Sequence, residues 1–327
     1  MDLSTKYMGL NLRNPLVISA SPLTDNIENI RKADEYGIGA VVLKSLFEEQ
    51  IREELDTKLN REDMFFWYPE AAEHIRKISD KESIRPYLNL VQAAKKETSL
   101  PVIASINCYS AGGWTSFAQK IREAGADALE LNIATHLPGE EDMYDCGLEE
   151  NITDIVKKVK EEVEIPIAIK IGPCFCNLIR TGKKIEAAGA DALVLFNRFY
   201  QPDIDIDTFE VISDQNMSAP EEMAQSLRWV GILSRHVSMD LAASTGIHSY
   251  QGVVKQLLAG AAVTQICTTL YKRGLQYIPW MLEDLESWMK DKGFAAIDEF
   301  RGRISDDRLK SVKFEQIQFI EKNLHVH

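Results

Sequence analysis

The chain has 327 residues and is 45% hydrophobic, enough to bury a large core in one barrel-sized domain. Its 50 acidic and 37 basic residues leave a formal net charge of −13, which argues against the basic face of a general nucleic-acid binder. The 5 cysteines, an odd number scattered through a core-forming chain, do not read as a disulfide framework. The opening MDLSTKYMGL has no apolar run of signal-peptide or membrane length, so the expectation is a soluble cytoplasmic protein.

In chain order, apolar runs predict eight strands, at about 15–20, 38–44, 101–106, 126–132, 165–171, 191–196, 239–244 and 262–267. Most are continuously apolar, as strands buried on both faces should be. Pro101 and Pro166 each precede a strand, where a missing N–H costs least. Helical patterns lie between the strands, for example over 152–163 and 222–236. Four stretches repeat one design: EYGIGAVVLKS (35–45), EAGADALELN (123–132), AAGADALVLFN (187–197) and LAGAAVTQICT (258–268). In each, a glycine closes a helix and a strand ending in a polar residue follows, the pattern of βα units and a parallel sheet. The fold class is therefore α/β, a (β/α)8 TIM barrel spanning 1–327 as one domain. Its charged, partly helical tail from about 290 is expected to pack outside the barrel or on a partner. Three connections, at about 45–85, 133–148 and 197–220, exceed simple βα turns and all follow strand carboxyl ends, where barrels carry substrate loops and lids.

The strand ends read Ala20-Ser21, Lys44-Ser45, Asn107, Asn132, Lys170, Asn197, Ser244-Thr245-Gly246 and Cys267-Thr268. Eight small or polar ends require a polar ligand at the barrel mouth. Lysines at the ends of buried strands are costly unless an anion or dipole lies nearby, which singles out Lys44 and Lys170. The last two loops of such barrels commonly hold phosphate, and Gly246 would let backbone approach it closely.

This constellation resembles the dihydroorotate dehydrogenase family of FMN-dependent barrels. The likeness runs from NPLVISASPLT (14–24) through the KS pair, the strand-four asparagine and IAIKIGP to STGIH and QICTTLYKRG. It is nearest the class-1-like soluble branch. The resemblance implies FMN as cofactor, oxidation of a CH–CH bond in pyrimidine biosynthesis, a soluble electron acceptor and a homodimer. By position it implies that Ala20 and Ser21 lie against the flavin ring, that Lys44 and Lys170 hydrogen-bond its pyrimidine side and that Ser45 belongs to the cofactor site. Asn107 and Asn132 would bind flavin or substrate, and Ser244, Thr245, Gly246, Cys267 and Thr268 the phosphate. Lys44, Asn132 and Asn197 would hold substrate. The family's segment carrying the catalytic base after strand four here reads Asn132-Ile133-Ala134-Thr135-His136, so Thr135 takes the base position and His136 is the adjacent titratable group. The family's substrate asparagine pattern after strand two is absent, and Glu48 and Glu49 stand where an anionic substrate would pass. Cys174 and Cys176 have no second Cys/His pair at convincing spacing, so no metal site is expected. A non-flavin alternative is a phosphate-binding lyase or aldolase with Lys170 as Schiff-base nucleophile.

Overall fold

Eight short parallel strands close on themselves: β1 (Leu16–Ile18), β2 (Ala40–Val42), β3 (Val102–Asn107), β4 (Ala128–Asn132), β5 (Ile167–Ile171), β6 (Ala192–Leu195), β7 (Asp240–Ser244) and β8 (Val263–Ile266). Each pairs with the next, and β8 returns to β1, completing the predicted (β/α)8 barrel. The structure, a computed structural model, describes residues 1–49, 51, 84–108, 111–133, 148–199, 201–212, 217–306 and 313–315.

Alternation along each strand sorts its side chains into two cores. Leu16, Ile18, Leu129, Leu131, Ile167 and Ile169 face outward into the layer of helices, while Val17, Ala128, Ala168, Ala192, Ala242 and Val263 face the barrel axis. So many inward alanines leave space at the base of the barrel. A hairpin of Thr5–Tyr7 and Leu10–Leu12 fills it, with Tyr7, Met8 and Leu12 buried there. The hairpin is tied to distant chain: Met8 N donates to Asp240 Oδ2 at 2.7 Å, and Thr5 Oγ1 to the Ala262 carbonyl at 3.1 Å.

The four repeated glycines do what their position predicts. Gly37, Gly125, Gly189 and Gly260 all have positive φ, between 86° and 111°, at the ends of helices that feed β2, β4, β6 and β8. Two of the repeats add an aspartate with a second job. Asp127 Oδ2 accepts the N–H of Val102 at 2.7 Å and also the Lys95 ammonium, and Asp191 Oδ2 accepts the N–H of Ile167 at 2.8 Å and the Lys160 ammonium at 2.6 Å. Each aspartate thus locks the first donor of the strand that precedes its own.

Predicted helix 152–163 spans Leu148–Glu162, and 222–236 shortens to Met223–Leu233 behind a 3-10 turn at Pro220–Glu222. The third long connection is not structureless. It carries a hairpin of Asp203–Asp205 and Glu210–Ile212. Of the tail, residues 313–315 lie on the barrel's outside: Phe314 packs against Gly231, and Glu315 pairs with Arg235 at 3.5 Å. Most of connection 45–85 and of connection 133–148 lies outside the described residues.

Candidate active site

The inward positions change character toward the carboxyl end of the barrel. Above the alanine layer stand Ser19, Glu130, Lys170, Ser244 and Gln265, polar side chains buried on the inner face. Lys170 Nζ reaches Ser19 Oγ at 3.2 Å, Gln265 Oε1 at 3.2 Å and Glu130 Oε1 at 3.3 Å. A buried ammonium and carboxylate at this distance neutralise one another, which makes their burial tolerable.

Lys170 forms the floor of a cavity of ≈ 250 Å³ that opens at the carboxyl ends of the strands. Its walls include Ala20, Phe196, Asn197, Ser244, Thr245, Gly246, Cys267 and Thr268. A second cavity of ≈ 370 Å³, lined in part by Pro173, Phe199 and Gln201, shares Phe196, Asn197, Arg198, Ser244 and Thr245 with the first. The pair falls in the size range of sites for organic ligands.

Thr245 and Gly246 both take the left-handed conformation, at φ 73° and 75°. The glycine is required by the protein's own packing: a Cβ there would lie 2.3 Å from the Met223 backbone nitrogen. Its closest backbone approach is therefore to the start of the helix Met223–Leu233, a constraint that the sequence reading assigned to a bound phosphate.

Ser218, which the sequence reading did not single out, stitches the last two loops together. Its Oγ accepts from Gly246 N at 3.3 Å and donates to Thr268 Oγ1 at 3.1 Å, and its backbone N–H donates to the same Thr268 oxygen at 3.2 Å. His248 Nε2 lies 3.4 Å from the Ser218 hydroxyl. Burial, helped by the charge of Lys272, lowers the His248 pKa and favours the neutral ring. Burial pushes the Cys267 thiol up, against the opposing pull of a Ser21 hydrogen bond and the Lys170 charge.

Of the remaining predicted residues, those described do not line this cavity. Lys44 is half-exposed and 3.8 Å from Asp25 Oδ2. Ser45 Oγ meets Ser105 Oγ at 2.8 Å, and Ser21 caps the turn Pro22–Thr24. Asn107 ends β3 beside Phe47, whose short strand Leu46–Phe47 extends the sheet there. Asn132 ends β4 next to Lys170 in the register, and its buried Oδ1 has no hydrogen-bond partner among the described residues. Thr135 and His136 lie outside the described residues. Glu48 is buried, with its carboxylate against Gly113 near the start of the helix Ala111–Glu123, whereas Glu49 is exposed. Cys174 and Cys176 are exposed.

The family model for dihydroorotate dehydrogenase matches residues 80–289, most of the barrel. The chain belongs to the dihydroorotate dehydrogenase family. Among similar curated proteins, the "Dihydroorotate dehydrogenase B (NAD(+)), catalytic subunit" of Thermoplasma volcanium is 29% identical over 312 residues, covering 92% of this chain and 98% of that protein. The protein of the same name from Thermococcus kodakarensis is 29% identical over 310 residues, covering 92% and 97%, and that from Methanothermobacter thermautotrophicus 27% over 321 residues, covering 93% and 99%. Family membership makes this chain a dihydroorotate-dehydrogenase-like oxidoreductase acting on CH–CH groups. It removes the lyase alternative, and the Glu130 ion pair shows why Lys170 suits that role badly: a Schiff-base lysine must present a free amine. No helix among the described residues is long and apolar enough to cross a membrane.

Glu130, Gln265 and Ser19 were missed by the sequence reading, which looked at the last residue of each strand. The signal was one step back. A Glu within ALELN and a Gln within VTQI are polar groups in strands buried on both faces, and such groups need partners.

Proposed function

We propose that this protein is an FMN-dependent dehydrogenase that oxidises dihydroorotate, or a closely related dihydropyrimidine, at the carboxyl face of its barrel. The observation carrying the reading is that a buried cation, Lys170, lines one cavity with the small-residue strand ends of β7 and β8, while Asn132, beside Lys170 in the register, has a buried amide oxygen with no partner among the described residues. These groups fit a flat heterocycle bearing a phosphate. The buried Asn132 oxygen awaits a donor such as a ring N–H. The Gly246 N–H, now donated to Ser218, is a donor that a phosphate would take over, and the Thr268 hydroxyl, which accepts from Ser218, keeps its own hydrogen to donate. FMN bound here supplies the hydride acceptor for the reaction.

In this reading Lys170 holds positive charge where negative charge develops on reduction, at low dielectric and with no reorganisation cost. Ala20 and Phe196 give the ring an apolar wall and keep water from it. Asn197, at the end of β6, orients the substrate, and Thr135 or His136 takes the proton from the carbon next to the one that loses hydride. Because the curated relatives are named as catalytic subunits of NAD(+) enzymes, we further propose that electrons leave this chain for a partner subunit or another soluble acceptor.

The altered segment Asn132–His136 favours one second reading, a different reduced heterocycle as substrate. One anaerobic experiment tests both. Purified protein should carry the yellow spectrum of oxidised FMN, and excess dihydroorotate should bleach it. Bleaching only by another dihydropyrimidine selects the second reading, and colourless protein that takes up no FMN overturns both.

A further inference from the structure

Glu130 is fully buried and does not line the mouth cavity, yet both its carboxylate oxygens are in use. Oε1 accepts from Lys170 Nζ at 3.3 Å and Oε2 from Gln265 Nε2 at 2.6 Å. With its amide nitrogen committed to Glu130, Gln265 presents Oε1 to Lys170 Nζ and to Ser19 Oγ, both at 3.2 Å. The Ser19 hydroxyl therefore donates to Gln265 and accepts from the ammonium, also at 3.2 Å. All three ammonium hydrogens of Lys170 have acceptors, and the orientation of the other two members follows from Glu130.

A buried ion pair is weak ground for stability, because well-packed apolar residues of the same volume serve as well. Its value lies in placing a charge. Three members of the network, Ser19, Lys170 and Gln265, face the cavity, and the carboxylate sits beneath them. To bond a ligand in the cavity, Lys170 must release a neutral acceptor, Ser19 or Gln265, since releasing Glu130 would strand a buried carboxylate. Glu130 thus keeps the ammonium anchored while freeing one hydrogen for the ligand, and it cancels part of the ammonium's field there.

We propose that Glu130 is a positioning residue that, through Lys170 and Gln265, sets the balance between oxidised and reduced flavin at the barrel mouth. This rests on the flavin reading above. The test is the midpoint potential of bound FMN, measured by anaerobic dye equilibration, in the wild type, Glu130→Gln and Glu130→Asp. Glu130→Gln keeps the shape and removes the opposing charge. Its preference for reduced over oxidised FMN should rise at least tenfold, about 30 mV for a two-electron couple. Glu130→Asp retains the charge and should stay within about threefold of the wild type, a rescue that a purely space-filling role does not produce. Should Glu130→Gln fail to fold or to hold flavin, Gln265→Leu carries the test. It keeps the ion pair, removes the second arm, and should shift the same preference at least threefold. A flavin-loaded Glu130→Gln with an unchanged or lowered preference overturns the inference, and so does an unshifted Gln265→Leu when it stands in. A wild type that takes up no flavin instead brings down the flavin reading, and this inference with it.

Discussion

At the amino ends of the strands, Asp127 and Asp191 each satisfy a strand N–H and a lysine ammonium, and the hairpin side chains Tyr7, Met8 and Leu12 fill the space below the alanines. At the carboxyl ends, a charged network sits at the floor of a cavity, Thr245 holds a left-handed backbone and the buried Asn132 oxygen has no partner among the described residues. At the first rim the strand donors meet acceptors of the chain itself, although the buried Tyr7 hydroxyl has no partner among the described residues. The other rim carries an amide oxygen without a partner among the described residues and backbone strain that a bound ligand can make use of. The same βα unit builds both, so the division between stability and chemistry falls within every repeat, at opposite ends of each strand.

The largest expected effect breaks the mouth through its backbone. Gly246→Val combines a positive φ with a Cβ 2.3 Å from the Met223 nitrogen, and strain and overpacking together should cost about 3 kcal/mol or more. Urea unfolding of flavin-free protein measures this directly. A variant as stable as the parent would show that the mouth loops have more room than this contact allows. Next, Asp191→Ala at the opposite rim removes the acceptor for Ile167 N–H and the Lys160 ammonium and should cost about 2 kcal/mol, with FMN affinity unchanged. A matching loss of flavin affinity would mean that the two rims are coupled.

Asn132→Ala should behave in the reverse manner. Deleting a buried oxygen that has no partner among the described residues should leave unfolding within about 0.5 kcal/mol, while FMN binding, followed by flavin fluorescence, weakens roughly tenfold. Loss of stability without loss of affinity would assign Asn132 to the scaffold. The smallest effect belongs to the outer helical layer. There, partial burial would raise the Glu149 pKa, but hydrogen bonds from Lys184, Thr181 and Arg180 outweigh it and bring the carboxyl down to about 2. A depressed carboxyl contributes stability above its unfolded pKa and loses it as pH falls toward the folded value. Acid titration of unfolding between about pH 4.5 and 2 should therefore show a decline of under about 1 kcal/mol that Glu149→Gln lacks.

The repeated glycines and polar strand ends made the barrel legible, because helix closure at Gly125 or Gly189 and the strand that follows are local events. The site was legible only in part. Sequence order places Lys44 at the end of β2, but the strand proper stops at Val42, and past that point alternation no longer decides direction; the ammonium goes to Asp25. Glu130 and Gln265 lie inside strands whose alternation does decide direction, and reading inward from the ends would have found them. Ser218 comes from a long connection, and nothing in its neighbourhood of sequence foretells that it meets Gly246 and Thr268, 28 and 50 residues later. Long-range closure of that kind is a property of the assembled fold.

The hairpin that fills the base of the barrel carries a consequence for biosynthesis. Its Thr5 bonds to a carbonyl 257 residues further on, and its Met8 to a side chain 232 residues further on. At ribosomal speeds those partners emerge roughly 10–50 s after the hairpin does. Throughout that interval Tyr7, Met8 and Leu12 lack the last of the strands that bury them, and the nascent chain must pass through a stage with these apolar residues only partly housed. Ring closure by β8 and seating of the hairpin then complete each other, which predicts late, cooperative folding with a high contact order. A chain interrupted before residue 263 would keep the hairpin's apolar side chains partly exposed, the form most in need of a chaperone.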